Sequence, residues 1–175
     1  MKTENRSESR PVRVEERAPA KVNLILSVGA RRADGYHELT SLMETVSLCD
    51  KLTVTADDTL LPEIKLSICG NYSVPEDPSN LVIRAAEAYF AATGTRFGVS
   101  VSLEKNVPTE AGLGGGSADA AATLRALNRM AGNPLSSDKL REIASTLGAD
   151  VPFCLFGGTA ICRGIGDVIE PIPKI

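Results

Sequence analysis

Tryptophan is absent from this 175-residue chain, histidine occurs once, at His37, and aromatic side chains make up only 4%. A single histidine leaves a zinc site short of imidazole ligands. The four cysteines, Cys49, Cys69, Cys154 and Cys162, include no Cys-x-x-Cys pair and sit in apolar, strand-like surroundings. They read as buried thiols rather than disulfides or metal ligands. Positive charge is not in excess either: the formal net charge is −3. With no basic stripe, there is no electrostatic basis for a nucleic-acid partner. No apolar run reaches the ~20 residues that a membrane-spanning helix requires. The polar, mixed-charge amino terminus lacks the apolar core of a secretion signal. A cytoplasmic protein is expected, with neither nucleic acid nor membrane as partner and with no oligomeric state assigned.

What the chain does contain is an ordinary globular composition, 43% hydrophobic and 23% charged, and enough length for one domain with a core. Residues 1–11 read as a flexible polar tail and residues 12–175 as a single domain. Strand-like alternation begins at Val12 and again at Ala20-Lys-Val-Asn-Leu-Ile-Leu-Ser-Val28. A period of two puts Val22, Leu24, Leu26 and Val28 on one face and Lys21, Asn23, Ile25 and Ser27 on the other. Asp34-Gly35 marks a hairpin tip. Further strands are expected over 39–48, 51–56, 64–69 and 97–104. Asn80 caps a helix over 81–93 that stops at Gly94. A second helix runs from Ser117 to Met130, and a third follows Ser136 or Ser137 to Leu147. Ala149 to Pro152 reads as a tight exit, and Phe153 to Ile172 as a closing hairpin that turns at 163–166. The expected fold class is α+β, a two-layer sandwich.

Pro108-Thr-Glu-Ala-Gly-Leu-Gly-Gly-Gly-Ser117 is the most informative stretch. Gly112, Gly114, Gly115 and Gly116 remove the Cβ atoms that keep a polyanion off the backbone, and they permit left-handed turns. The loop feeds a helix, whose first N–H groups and dipole favour an anion. No lysine follows the glycines, so it is not a Walker loop. The glycines are also too crowded for a dinucleotide fingerprint. A different kind of ATP site is implied, and Glu110 places a negative charge close to it.

The motif Pro108-x-x-x-Gly-Leu-Gly-Gly-Gly-Ser-Ala-Asp-Ala-Ala resembles the phosphate loop of the GHMP kinases. Three more segments, Pro19-Ala-Lys-Val-Asn-Leu24, Arg32-Ala-Asp-Gly-Tyr-His-Glu-Leu39 and Leu147-Gly-Ala-Asp-Val-Pro152, resemble the branch that phosphorylates 4-diphosphocytidyl-2-C-methyl-D-erythritol in non-mevalonate isoprenoid synthesis. The resemblance implies the amino-terminal fold of that family, with ATP as phosphoryl donor and Mg²⁺ accompanying it. No protein ligand is assigned to the ion.

By the same resemblance, Asp150 takes the proton from the substrate hydroxyl and Lys21 lies beside it near the transferred phosphate. Asn23 helps to hold the substrate, and Tyr36 and His37 recognise the cytosine ring. Pro108, Gly112, Leu113, Gly114, Gly115, Gly116 and Ser117 hold the triphosphate. Asn80 and Lys105 fall where the family meets adenosine. Family members continue into a second domain, so a chain ending at Ile175 is expected to supply the first alone, without an aromatic partner for Tyr36. Two other readings stay open: a GHMP kinase for another small molecule, such as mevalonate or homoserine, and a non-catalytic domain that binds nucleotide or a partner.

Overall fold

The computed structural model describes residues 13–31, 35, 37–56, 62–166 and 168–173. The polar tail, Asp34 and Tyr36 lie outside the described residues. Six strands form one sheet among the described residues: β1 (Arg13–Arg31), β2 (His37–Ala56), β3 (Ile64–Gly70), β4 (Val99–Lys105), β5 (Thr159–Gly164) and β6 (Val168–Pro171). Four helices accompany it: α1 (Leu81–Thr93), α2 (Gly115–Met130), α3 (Ser137–Leu147) and α4 (Val151–Phe156). Pairing is antiparallel except between β3 and β4, which α1 connects as a parallel crossover.

The long strand β2 organises the sheet. One edge pairs with β1 along its whole length. The other edge is shared, since Lys51–Ala56 pair with β4 and Leu39–Glu44 pair with β5. Between those partners the sheet splits, and Asp50 stands at the split. Alternation decides which face is covered: Leu52, Val54, Val99, Val101 and Leu103 are buried, while Ser100 and Ser102 on the same strands are not. The buried side chains meet Val82, Tyr89, Leu124, Leu127, Leu140 and Phe153 from the helices. This is the two-layer α+β sandwich that the pattern predicts.

The caps follow the sequence closely. Asn80 caps α1 and Ser136 caps α3 through side-chain oxygens, and Gly94 closes α1 in the left-handed conformation. Helix α2 is pinned from its middle: Arg125 donates to the Glu16 carboxylate and to the carbonyls of Arg17 and Cys154, which joins it to β1 and α4.

Four expectations need correction. Residues 153–156 are helical, not strand, because Pro152 sits at the start of α4, where its missing N–H costs nothing. The predicted strands at 12–17 and 20–28 are one strand, and a register shift between Pro19 and Lys21 absorbs the proline. The predicted strands at 39–48 and 51–56 are likewise one. The clean alternation of 21–28 also fails, because a second shift between Asn23 and Ile25 breaks the period. Leu24, Ile25, Leu26 and Val28 are all more than half exposed, so neither face of this arm is covered.

Candidate active site

The glycine loop enters α2 through two left-handed glycines, Gly112 and Gly114. Gly114 is the N-cap of α2 and makes no side-chain capping bond. The first-turn N–H groups of Gly115, Gly116 and Ser117 therefore have neither a side-chain cap nor an intrahelical acceptor. The loop lines a cavity of about 450 Å³, together with Val74, Pro75, Asn80, Leu81, Lys105 and Asp119. Pro108, Leu113 and Ser117 are among its walls, so the whole predicted loop comes together. Glu110 also lines it but is exposed, in a left-handed turn of its own.

Two of the four glycines are small for reasons that face inward. A Cβ on Gly115 would sit 2.9 Å from Lys105 Nζ and 3.0 Å from a Val107 methyl group. A Cβ on Gly114 would sit 2.9 Å from Lys21 Cγ. Around Gly112 nothing lies within 4 Å, so conformation alone selects glycine there.

Beneath the loop lies a buried charge cluster. Lys105 is 2% exposed and donates to Asp50 Oδ2 and, at 2.7 Å, to Asp119 Oδ2. Asp50 Oδ1 accepts the backbone N–H groups of Asn106 and Val107. Asp119 Oδ1 has no hydrogen-bond partner among the described residues. Burial pushes the Asp119 carboxyl up to about 7, Asp50 adds to the rise, and Lys105 opposes it. Lys105 thus stands below the cavity, held between the Asp50 and Asp119 carboxylates. Asn80 also lines the cavity while capping, its amide donating to the Pro75 carbonyl at 2.6 Å and accepting from Val82 at 2.9 Å.

Lys21 and Asp150 meet where β1 passes the loop. The Lys21 N–H donates to the Leu113 carbonyl at 2.9 Å, so the shift after Pro19 stitches β1 to the glycine loop. Lys21 Nζ lies 3.3 Å from Asp150 Oδ2 and donates to Asn23 Oδ1 at 2.7 Å. Asp150, the N-cap of α4, makes no capping bond with its side chain, which leaves the carboxylate for Lys21 and for solvent. The lysine side chain is 8% exposed and the carboxylate 32%. A half-open carboxylate beside a buried ammonium, next to a polyanion cradle, can receive a proton from a hydroxyl whose oxygen meets a phosphoryl group.

His37 lies at the start of β2, with Nδ1 3.2 Å from the Gly29 carbonyl. Sequence reasoning missed Ser41, Asp50 and Asp119. Asp119 lies inside the recognised loop motif and could have been found there. Asp50 fell at an expected strand break, and Ser41 carries no local signal.

Comparison with known proteins agrees with this geometry. Residues 80–158 match the model of the GHMP kinases N terminal domain. A 4-diphosphocytidyl-2-C-methyl-D-erythritol kinase of Geobacter metallireducens is 46% identical over 91% of this chain and 56% of its own length. One from Desulfitobacterium hafniense is 46% identical over 91% and 53%. The chain spans about half the length of the curated relatives it matches. A crystal structure of 4-(cytidine 5'-diphospho)-2C-methyl-D-erythritol kinase superposes with a TM-score of 0.77, at 44% identity, over 91% of this chain and 55% of that one. A homoserine kinase from Cytophaga hutchinsonii, 22% identical with a TM-score of 0.71 over 92% of this chain and 52% of that one, shares the fold. The glycine cradle, the strand that carries Lys21 and these likenesses lead to one assignment: the chain belongs to the GHMP kinases, as their amino-terminal domain.

Proposed function

We propose that this chain carries the phosphoryl-transfer half of a kinase that moves the γ-phosphoryl group of ATP to a hydroxyl of 4-diphosphocytidyl-2-C-methyl-D-erythritol. The observation that carries the reading is the Lys21–Asp150 contact, hydrogen-bonded through the Lys21 backbone to the glycine loop. In the reaction the hydroxyl oxygen attacks the γ-phosphorus, its proton passes to Asp150, and the β–γ bridging bond breaks to release ADP. Lys21 neutralises charge on the phosphoryl oxygens as it moves. The N–H groups of Gly115 to Ser117 hold the remaining phosphates. Magnesium, where it accompanies ATP, supplies further charge neutralisation. Ser117 and Asp119, on the α2 wall of the cavity, offer the hard oxygens that such an ion takes.

The names of the relatives supply the substrate, and His37 supports it. A carbonyl only accepts, so Nδ1 carries the proton toward Gly29 and leaves Nε2 of a neutral ring as an acceptor. An exocyclic amino group of a cytosine is a matching donor. Met43, which pairs with Asn23, lies six positions along β2 from His37, a span of ~20 Å along a strand. A long substrate with a base at one end and a polyol at the other suits that separation. The cytoplasm is the proposed location, and no helix among the described residues is long and apolar enough to cross a membrane.

The test is ATP consumption that depends on 4-diphosphocytidyl-2-C-methyl-D-erythritol. Asp150→Asn is expected to lower kcat by at least ~100-fold, the lower range for a positioned general base, with ATP affinity retained. Turnover unchanged in Asp150→Asn would remove Asp150 as the base. ATP binding without any turnover, unaltered by Asp150→Asn, would favour a non-catalytic nucleotide-binding domain.

A further inference from the structure

Ser41 is wholly buried on β2, opposite Leu26. Its hydroxyl lies 2.9 Å from the Ile25 carbonyl, which can only accept, so the single hydroxyl proton is committed there. Ser41 Oγ then has only lone pairs to offer Asn23 Nδ2, 2.6 Å away. At the far end of the same amide, Lys21 Nζ can only donate, and it meets Asn23 Oδ1 at 2.7 Å. Both ends impose the same orientation on Asn23. The register shift between Asn23 and Ile25 is what lets the Ile25 carbonyl and the Asn23 amide reach one hydroxyl.

We propose that Ser41 is a positioning residue for phosphoryl transfer: it holds the Asn23 amide with its oxygen toward Lys21, and thereby keeps the Lys21 ammonium beside Asp150. The proposal rests on the kinase reading given above. Without the hydroxyl, the Asn23 amide is free to turn its NH₂ group toward the ammonium, donor against donor. Lys21 would then lose one of its two acceptors, and its position would no longer be fixed from the strand side.

The uniformly ¹⁵N-labelled 175-residue chain provides a test that does not depend on turnover. Proton–nitrogen spectra recorded in the cold report the Lys21 ammonium and the Asn23 side-chain amide, assigned by their disappearance in Lys21→Arg and Asn23→Asp. Ser41→Ala is expected to abolish the Lys21 ammonium signal and to speed exchange of the Asn23 amide about tenfold, the loss of roughly one hydrogen bond. Ser41→Thr keeps the hydroxyl and is expected to keep both signals. Spectra unchanged in Ser41→Ala overturn the proposal. So does a Ser41→Thr that melts like the parent chain but loses both signals. In the phosphotransfer assay, Ser41→Ala is expected to lower kcat about tenfold through a small misplacement, with KM for ATP unchanged. A fully active Ser41→Ala beside an inactive Asp150→Asn overturns the positioning role and leaves the kinase reading standing. If Asp150→Asn also turns over normally, Asp150 is not the base, and the proposed role of Ser41 in transfer, which acts through the Lys21–Asp150 contact, fails with it, whatever the spectra say of the amide.

Discussion

Burial at this site leaves its mark on the acidity of Asp119. Its carboxyl is pushed from an ordinary 3.8 up to about 7, chiefly by burial. The folded chain therefore holds a proton between about pH 4 and pH 7 that the unfolded chain has released. By linkage, this group makes the fold less stable as pH rises through that window, and its effect levels off above it. Asp119→Asn should flatten the decline, so that its melting temperature gains on the parent chain's as pH goes from 4 to 8. An unchanged difference across that range would place the proton elsewhere. Burial also pushes the Cys154 thiol up to about 12 and the Cys162 thiol up to about 11, with Asp150 adding to both. At pH 8 a disulfide reagent should label Cys69 quickly, Cys49 more slowly, and Cys154 and Cys162 only after unfolding. Rapid labelling of all four in the folded chain would contradict that order. Composition suggested four buried thiols. Two are, whereas Cys49 is half-buried and Cys69 exposed, because burial depends on which face of the sheet a strand residue meets. The contact between Lys21 and Asp150 was legible through motif resemblance, which also suggests the roles proposed for them. The enclosure of Lys105 was not, since it depends on Asp50, 55 positions away.

At the scale of elements, local chemistry decided what could be read. Asn80, Gly94, Ser136 and Gly148 are capping residues whose effect reaches only a few neighbours, so α1 and α3 were legible from a short window of sequence. Helix α4 was not, because a short apolar run such as 153–156 suits a strand or a buried helix equally well. The cap of α1 has a measurable consequence. Asn80→Ala removes two side-chain bonds and should cost ~1 kcal/mol or somewhat more in unfolding free energy. Asn80→Asp should recover the part that comes from capping Val82. The glycine loop gives a second expectation. Gly115→Ala drives a methyl group into Lys105 and Val107 and should destabilise the fold by ~1–3 kcal/mol through overpacking. Its harm should come from below the cradle rather than from blocking phosphate. Denaturant unfolding of both variants checks these values, and a Gly115→Ala as stable as the parent chain would show that the cluster can yield.

Across the whole molecule, the two-layer arrangement was legible because alternation in β4 and the helix spacing both point to one shared interior. The sheet order was not, since one edge of β2 is divided between β4 and β5, and its pairing with β5 joins segments more than a hundred residues apart. The β1 arm beyond Asn23 was misread for a related reason: period-two alternation predicts one covered face, but cover comes from a second layer, and residues 24–31 are exposed on both faces. Contiguous exposed apolar surface drives association. The 175-residue chain should therefore self-associate with rising concentration in sedimentation experiments, and a Leu24→Ser, Leu26→Ser double variant should do so less. Equal behaviour of the two would show that the arm is not the adhesive surface.

The contact between Gly114 and the stem of Lys21 ties together two positions that are 93 residues apart in the sequence. Gly114 is kept small on behalf of a lysine whose work lies elsewhere. A side chain at 114 would have to accept the left-handed backbone there and would also need a shorter residue at 21, which would give up the charge. The dependence therefore runs one way: 114 cannot gain a side chain while Lys21 stands there, whereas a change at 21 alone would still leave the backbone at 114 asking for glycine.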